Sequence, residues 1–126
     1  MIAVLDNYIS SRIPKTSRDK ALIEYAASKI SNCPTRQILG EIQRDLGVTE
    51  RTLERLFENN IGVSPTQFRK IHQFNRAFRQ LNTRQFRSLG DIAFEHGYAD
   101  QSHYIRTFKK FTNITPKEYL HVRITS

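Results

Sequence analysis

Across 126 residues there is one cysteine, no tryptophan, five glycines and four prolines. A lone Cys33 cannot close an internal disulfide, so nothing here reads as a secreted, stapled framework. The longest apolar run is Met1–Leu5, and Asp6 interrupts it, which excludes a signal-peptide core and a membrane span in this sequence. β-branched alternation is nowhere sustained, so strands have little claim. His72, His96, His103 and His121 form no ligand spacing with Cys33, and there is no Cys-x-x-Cys or His-Glu-x-x-His, so no metal and no cofactor are expected. Ser17-Arg18-Asp19-Lys20 matches Ser-x-x-Lys formally, but its companion motifs are missing, and no phosphate loop or nucleophile elbow occurs. Catalysis has no support. What remains is a charge of +8 and a pI near 10.0. That excess favours a polyanionic partner without naming one. It divides as two positive charges over residues 1–34, three over 35–81 and three over 82–126, with no block of five like charges. A folded basic surface fits this better than a disordered arm.

The chain repeats itself. Leu39-Gly40-Glu41-Ile42 returns as Leu89-Gly90-Asp91-Ile92, and Gly47-Val48 as Gly97-Tyr98, fifty residues on. With one residue inserted, Leu53, Arg55, Phe57 and Gly62 then meet Tyr104, Arg106, Phe108 and Asn113, and Ser64-Pro65 meets Thr115-Pro116. Two copies are too few for a solenoid, so one supersecondary unit is used twice.

The unit is helical. Ile38, Ile42 and Leu46 step by four before Gly47 breaks the pattern, and Leu53, Leu56 and Phe57 resume it behind a Thr49 N-cap. In the second copy Leu89, Ile92 and Ala93 precede Gly97, and Tyr104, Thr107, Phe108 and Phe111 follow an Asp100 N-cap as inward positions. Ser88 with Asp91, Ser64-Pro65-Thr66-Gln67 and Thr115-Pro116-Lys117-Glu118 read as further helix starts. Ser17 is expected to cap a first helix carrying Leu22, Tyr25, Ala26 and Ile30 on its apolar face. Ala93 leaves room for a crossing helix one turn before Gly97; the first copy has Gln43 there, which predicts a looser crossing or an outward Gln43. Helix, tight turn at Gly, helix is the arrangement whose second helix enters a DNA major groove. The fold class is all-α.

The stretch Gly97-Tyr98-Ala99-Asp100-Gln101-Ser102-His103-Tyr104-Ile105-Arg106-Thr107-Phe108-Lys109-Lys110-Phe111, ending in Thr115-Pro116-Lys117-Glu118-Tyr119, resembles the C-terminal signature of the AraC/XylS transcription regulators, and Gly47 to Phe68 resembles their first helix-turn-helix. The resemblance covers residues 18–122. It implies two helix-turn-helix subdomains, homeodomain-like three-helix units at 18–64 and 82–126, joined by one long linker helix at 65–81; residues 1–17 fall outside it and read as an extension or linker remnant. On that helix Phe68, Ile71, Phe74, Phe78 and Leu81 are the apolar positions, and its roughly 25 Å length suits recognition helices about one DNA turn apart. In residues 1–17, Ile2, Leu5, Ile9 and Ile13 step at three or four, which fits a short amphipathic helix.

The resemblance places base contacts at Arg51, Glu54 and Arg55, and at Gln101, Ser102, Ile105 and Arg106. Their chemistry suits base reading, since Arg pairs with guanine, Gln with adenine, Glu accepts from cytosine, and Ile105 can meet a thymine methyl. A bland alternative is surface ion pairing of Arg51 with Glu54 and Arg55 with Glu58. Candidate phosphate contacts are Arg36, Arg87, Lys109, Lys110, Arg69 and Lys70. The expected function is a sequence-specific DNA-binding regulator, by resemblance an activator. The partners expected are double-stranded DNA, RNA polymerase and a missing N-terminal effector or dimerisation domain, and the setting is cytoplasmic, at the bacterial nucleoid. The alternatives are a basic helical protein-interaction module and a nonspecific architectural DNA binder.

Overall fold

The computed structural model describes residues 17–125. Seven helices follow one another: α1 Ser17–Asn32, α2 Ile38–Leu46, α3 Glu50–Asn60, α4 Pro65–Thr83, α5 Leu89–Glu95, α6 Gln101–Thr112 and α7 Pro116–Thr125. No strand occurs among the described residues, so the all-α reading holds. The expected amphipathic helix over Ile2–Ile13 lies outside them. Two compact units divide between His72 and Gln73, inside α4.

In the first unit, the apolar residues of each helix converge on one centre. Ala26 and Ile30 from α1, Ile38 and Ile42 from α2, and Leu53 and Phe57 from α3 are all but inaccessible to solvent. The Phe68 ring closes the cluster edge-on to Phe57, with centroids 5.5 Å apart. Tyr25 departs from the expected apolar face. It is 40% exposed, and its hydroxyl donates to Asp45 Oδ2 at 2.7 Å, an oxygen that Lys29 Nζ also reaches at 2.7 Å. The ring therefore ties α1 to α2 from outside. Asp45 is held below the ordinary carboxylate value, chiefly by the Lys29 ammonium and then by the Tyr25 hydroxyl.

The second unit is built around aromatic rings. Phe74, Ala77 and Leu81 from α4 pack with Ile92, Ala93, Tyr98, Tyr104 and Phe108. Phe74 and Phe108 lie 5.5 Å apart, and Phe78 and Tyr119 lie 5.2 Å apart. Phe111, expected to face inward, is instead 40% exposed; its ring stacks on Phe74 at 4.5 Å and covers the margin of the core. Tyr119 donates to Asn82 Oδ1 at 2.7 Å, which fixes α7 on α4.

α4 runs two residues beyond the expected end at Leu81, to Thr83, and Arg84 at φ 58 stops it. The helix carries more than its apolar positions: Ala77, Arg69 and Gln73 are buried as well.

Candidate nucleic-acid interface

Both turns use the same backbone device. Gly47 has φ 64, its N–H reaches Arg44 O at 3.3 Å, and the Val48 N–H reaches Gln43 O at 3.1 Å. Fifty residues later Gly97 has φ 81, its N–H reaches Phe94 O at 3.3 Å, and the Tyr98 N–H reaches Ala93 O at 2.9 Å. This pair of bonds satisfies two orphan carbonyls at the helix end and turns the chain sharply at a left-handed residue. Glycine accepts that conformation at least cost. Gln43 is half-buried where Ala93 is buried, so the first crossing accommodates a longer side chain at its edge.

The next helix then starts on a cap. Thr49 Oγ1 accepts the Thr52 N–H at 3.1 Å to begin α3, and Asp100 Oδ1 accepts the His103 N–H at 2.7 Å to begin α6. The α5 start uses Ser88 Oγ, which accepts the Asp91 N–H at 3.2 Å. At the start of α7, Thr115 and Glu118 exchange both bonds, Thr115 Oγ1 accepting at 3.1 Å and Glu118 Oε1 at 3.0 Å. Hydrogen bonding from Thr115 holds the Glu118 carboxyl below its ordinary value. Backbone sterics and capping therefore set the angle between helices in each copy.

Several polar groups that sequence reasoning missed support the second turn. Gln73 Nε2 donates to His96 O at 2.8 Å, and Gln80 Oε1 lies 2.6 Å from His96 Nε2, so that ring nitrogen carries the hydrogen. Burial, and secondarily the Arg76 charge, pushes the His96 pKa down against the opposing pull of Glu95. His103 Nδ1 accepts the Ala99 N–H at 3.1 Å, so the His103 residue serves the turn twice. The only sequence signal for Gln73 and Gln80 is their seven-residue spacing on one face of α4. The Tyr104 hydroxyl is buried with no hydrogen-bond partner among the described residues, and burial raises its pKa to about 12.

What the core does not use is exposed. On α3, Arg51, Glu54, Arg55 and Glu58 stand in solvent, with Glu50 on the same open face. Among the described residues Arg51, Glu54 and Arg55 have no ion-pair partner, whereas Lys29 and Asp45 pair at 2.7 Å. Neither guanidinium is engaged by a carboxylate of the described residues. On α6, Gln101, Ser102, Arg106, Lys109 and Lys110 are exposed and Ile105 is half-buried. Arg36, just ahead of α2, Arg87, just ahead of Ser88, and Lys70 on α4 are exposed too. Arg69 is different. It is 9% exposed, and its Nη1 donates to Pro34 O at 3.4 Å. The sequence placed it beside Lys70 on the surface; instead its stem packs inside the first unit, and its charge serves the α1–α2 connection. Phe94, aligned with Arg44 of the first copy, is 86% exposed on α5.

Among the described residues no three His, Cys, Asp or Glu side chains gather as metal ligands, and no helix is long and apolar enough to cross a membrane. A helix-turn-helix domain model matches residues 42–121, which takes in both turns and both exposed helices. The chain belongs to the AraC-type helix-turn-helix family. Its family relatives include an uncharacterized HTH-type transcriptional regulator of Staphylococcus aureus, 32% identical over 81 residues, which are 64% of this chain and 11% of that protein. The HTH-type transcriptional regulator ArgR of Pseudomonas aeruginosa is 27% identical over 114 residues, 90% of this chain and 32% of that protein. The chain thus spans a minor part of the family members it matches. No solved structure matches it.

Proposed function

We propose that this AraC-type chain is a sequence-specific, DNA-binding, non-enzymatic transcription regulator that lays α3 and α6 in successive major-groove segments of one duplex. The observation that carries this reading is the duplication: the same glycine turn, the same capped start and, in each copy, an outward arginine, Arg55 or Arg106, with no ion-pair partner among the described residues. Arg51, Glu54 and Arg55 from α3, and Gln101, Ser102, Ile105 and Arg106 from α6, read base edges. Arg36, Arg87, Lys70, Lys109 and Lys110 hold phosphates and set register. Residues 18–64 and 82–126 act as the two reading subdomains, with 65–81 as the helix between them. Activation through RNA polymerase, and command by an effector-binding or dimerisation domain, come to this reading from the family and from the greater length of the matched relatives.

The test is a fluorescence-anisotropy series with a DNA site selected from a random pool and with random competitor, at several salt concentrations. The expected result is a clear preference for the selected site and affinity falling with salt at a log–log slope of about −0.9 per phosphate neutralised. Binding without preference would leave an architectural binder, and no binding at low salt would leave a protein-interaction module.

A further inference from the structure

The two exposed helices differ in one row of side chains. Glu50, Glu54 and Glu58 stand four apart on α3, beside a second row of Arg51 and Arg55. The repeat aligns that acidic row with Gln101, Ile105 and Lys109 of α6, so three carboxylates in one copy correspond to an amide, an alkyl group and an ammonium in the other. α6 carries no acidic residue at all, and Arg106, Lys109 and Lys110 are all exposed on it. Glu54, at the centre of the acidic row, forms no ion pair or hydrogen bond with any described residue. Its charge is not consumed in holding the fold.

A free carboxylate is a poor group to bring to DNA. Phosphates, guanine O6 and N7, adenine N7 and thymine O4 are all acceptors or anions, and only the amines, such as cytosine N4, offer it a hydrogen. A group that is repelled almost everywhere, met by an amine beside a repelling N7 at adenine and by the N4 amine alone at cytosine, acts as much by rejecting wrong sites as by holding the right one. Resting on the reading of α3 as a groove reader, we infer that Glu54 is a specificity-determining residue that selects a cytosine chiefly by exclusion. The basic face of α6 supplies most of the attachment, and α3 supplies a veto.

The test compares the 126-residue chain with Glu54→Gln and Glu54→Ala, and with Glu24→Gln on the exposed side of α1 as a control for net charge, on the selected site, on single-base variants of it and on random DNA. Both Glu54 variants should bind random DNA more tightly while the selected site gains nothing. The selected-to-random ratio should then fall about tenfold, with the loss confined to one base pair. Equal tightening on every DNA, as expected for Glu24→Gln, would reduce Glu54 to a screening charge and overturn the inference. Loss on the selected site with random DNA unchanged would make it an attractive contact, and exclusion would be wrong. If the unsubstituted chain already shows no preference, the groove-reading function itself fails; a preserved preference with an unchanged ratio in the variants removes only the role of Glu54. Because Glu54 is exposed, all variants should keep their melting midpoints.

Discussion

Replacing Gly47 by alanine isolates the backbone contribution that shapes the first turn. A Cβ built at Gly47 meets nothing within 4 Å, so no clash contributes. At Gly97 the nearest atom is Gln73 Nε2 at 3.5 Å, an ordinary contact. What alanine must accept is φ 64 at position 47 or φ 81 at position 97. For an L-residue the left-handed region costs roughly 1–2 kcal/mol. Stiffening the unfolded chain by removing a glycine returns about 0.4–1 kcal/mol of that. The net expectation is a loss of about 1 kcal/mol for each Gly→Ala change, read as a lower urea midpoint at unchanged m-value by far-UV circular dichroism. Asparagine tolerates the same region better than alanine, as Asn113 does at φ 70 in the cap of α6. Gly47→Asn should therefore recover part of the loss. An alanine variant as stable as the parent, or an asparagine variant worse than alanine, would refute the idea that positive φ at these turns is what glycine is there for.

Tyr104→Phe removes a buried hydroxyl that has no partner among the described residues and should raise stability by about 1 kcal/mol in the same assay; a loss would mean the hydroxyl is satisfied, by water for example. Asp100→Ala deletes the acceptor that starts α6 and should cost about 1 kcal/mol, with faster amide exchange at His103. His96 titrates lower in the folded state than its ordinary 6.5, so the unfolded chain binds the proton first. Stability should decline as pH falls below about 6.5 towards the folded value, and His96→Gln should flatten urea midpoints measured between about pH 8 and 5. In DNA binding, Arg106→Ala should lose about 1–3 kcal/mol on the selected site and relax preference at one base pair, whereas Lys109→Ala should weaken all sequences alike. Identical, sequence-independent losses for both would contradict base reading by Arg106.

Much of the framework of the candidate interface was legible in the sequence, because its determinants are local. Glycine at 47 and 97, hydroxyls and carboxylates at 49, 64, 88, 100 and 115, and apolar steps of three and four act within a few residues of chain. Their effects follow from backbone sterics and from orphan N–H groups, wherever the segment packs. The exposed sets on α3 and α6 follow by subtraction from those steps.

The remainder depended on neighbours distant in sequence. Arg69 reads as a surface cation beside Lys70, and only the approach of Pro34 shows that its stem is enclosed and its charge spent inside the first unit. Phe111 fits the inward stripe of α6 by period, yet ends at the margin, stacked on Phe74 with its other side open. Tyr25 sits on an apolar stripe but turns to Asp45, a partner twenty residues away. Gln73, Gln80 and His96 look unrelated in the sequence and form one support beneath the second turn. The absence of an Arg51–Glu54 pair was likewise undecidable from an i, i+3 spacing that permits it. Sequence alone determined the repeated helix-turn-helix units, because local propensity and capping are properties of short segments. Tertiary structure decided which charges remain free for a partner and which are committed to the fold, because burial and pairing depend on side chains that the chain brings together only when it folds.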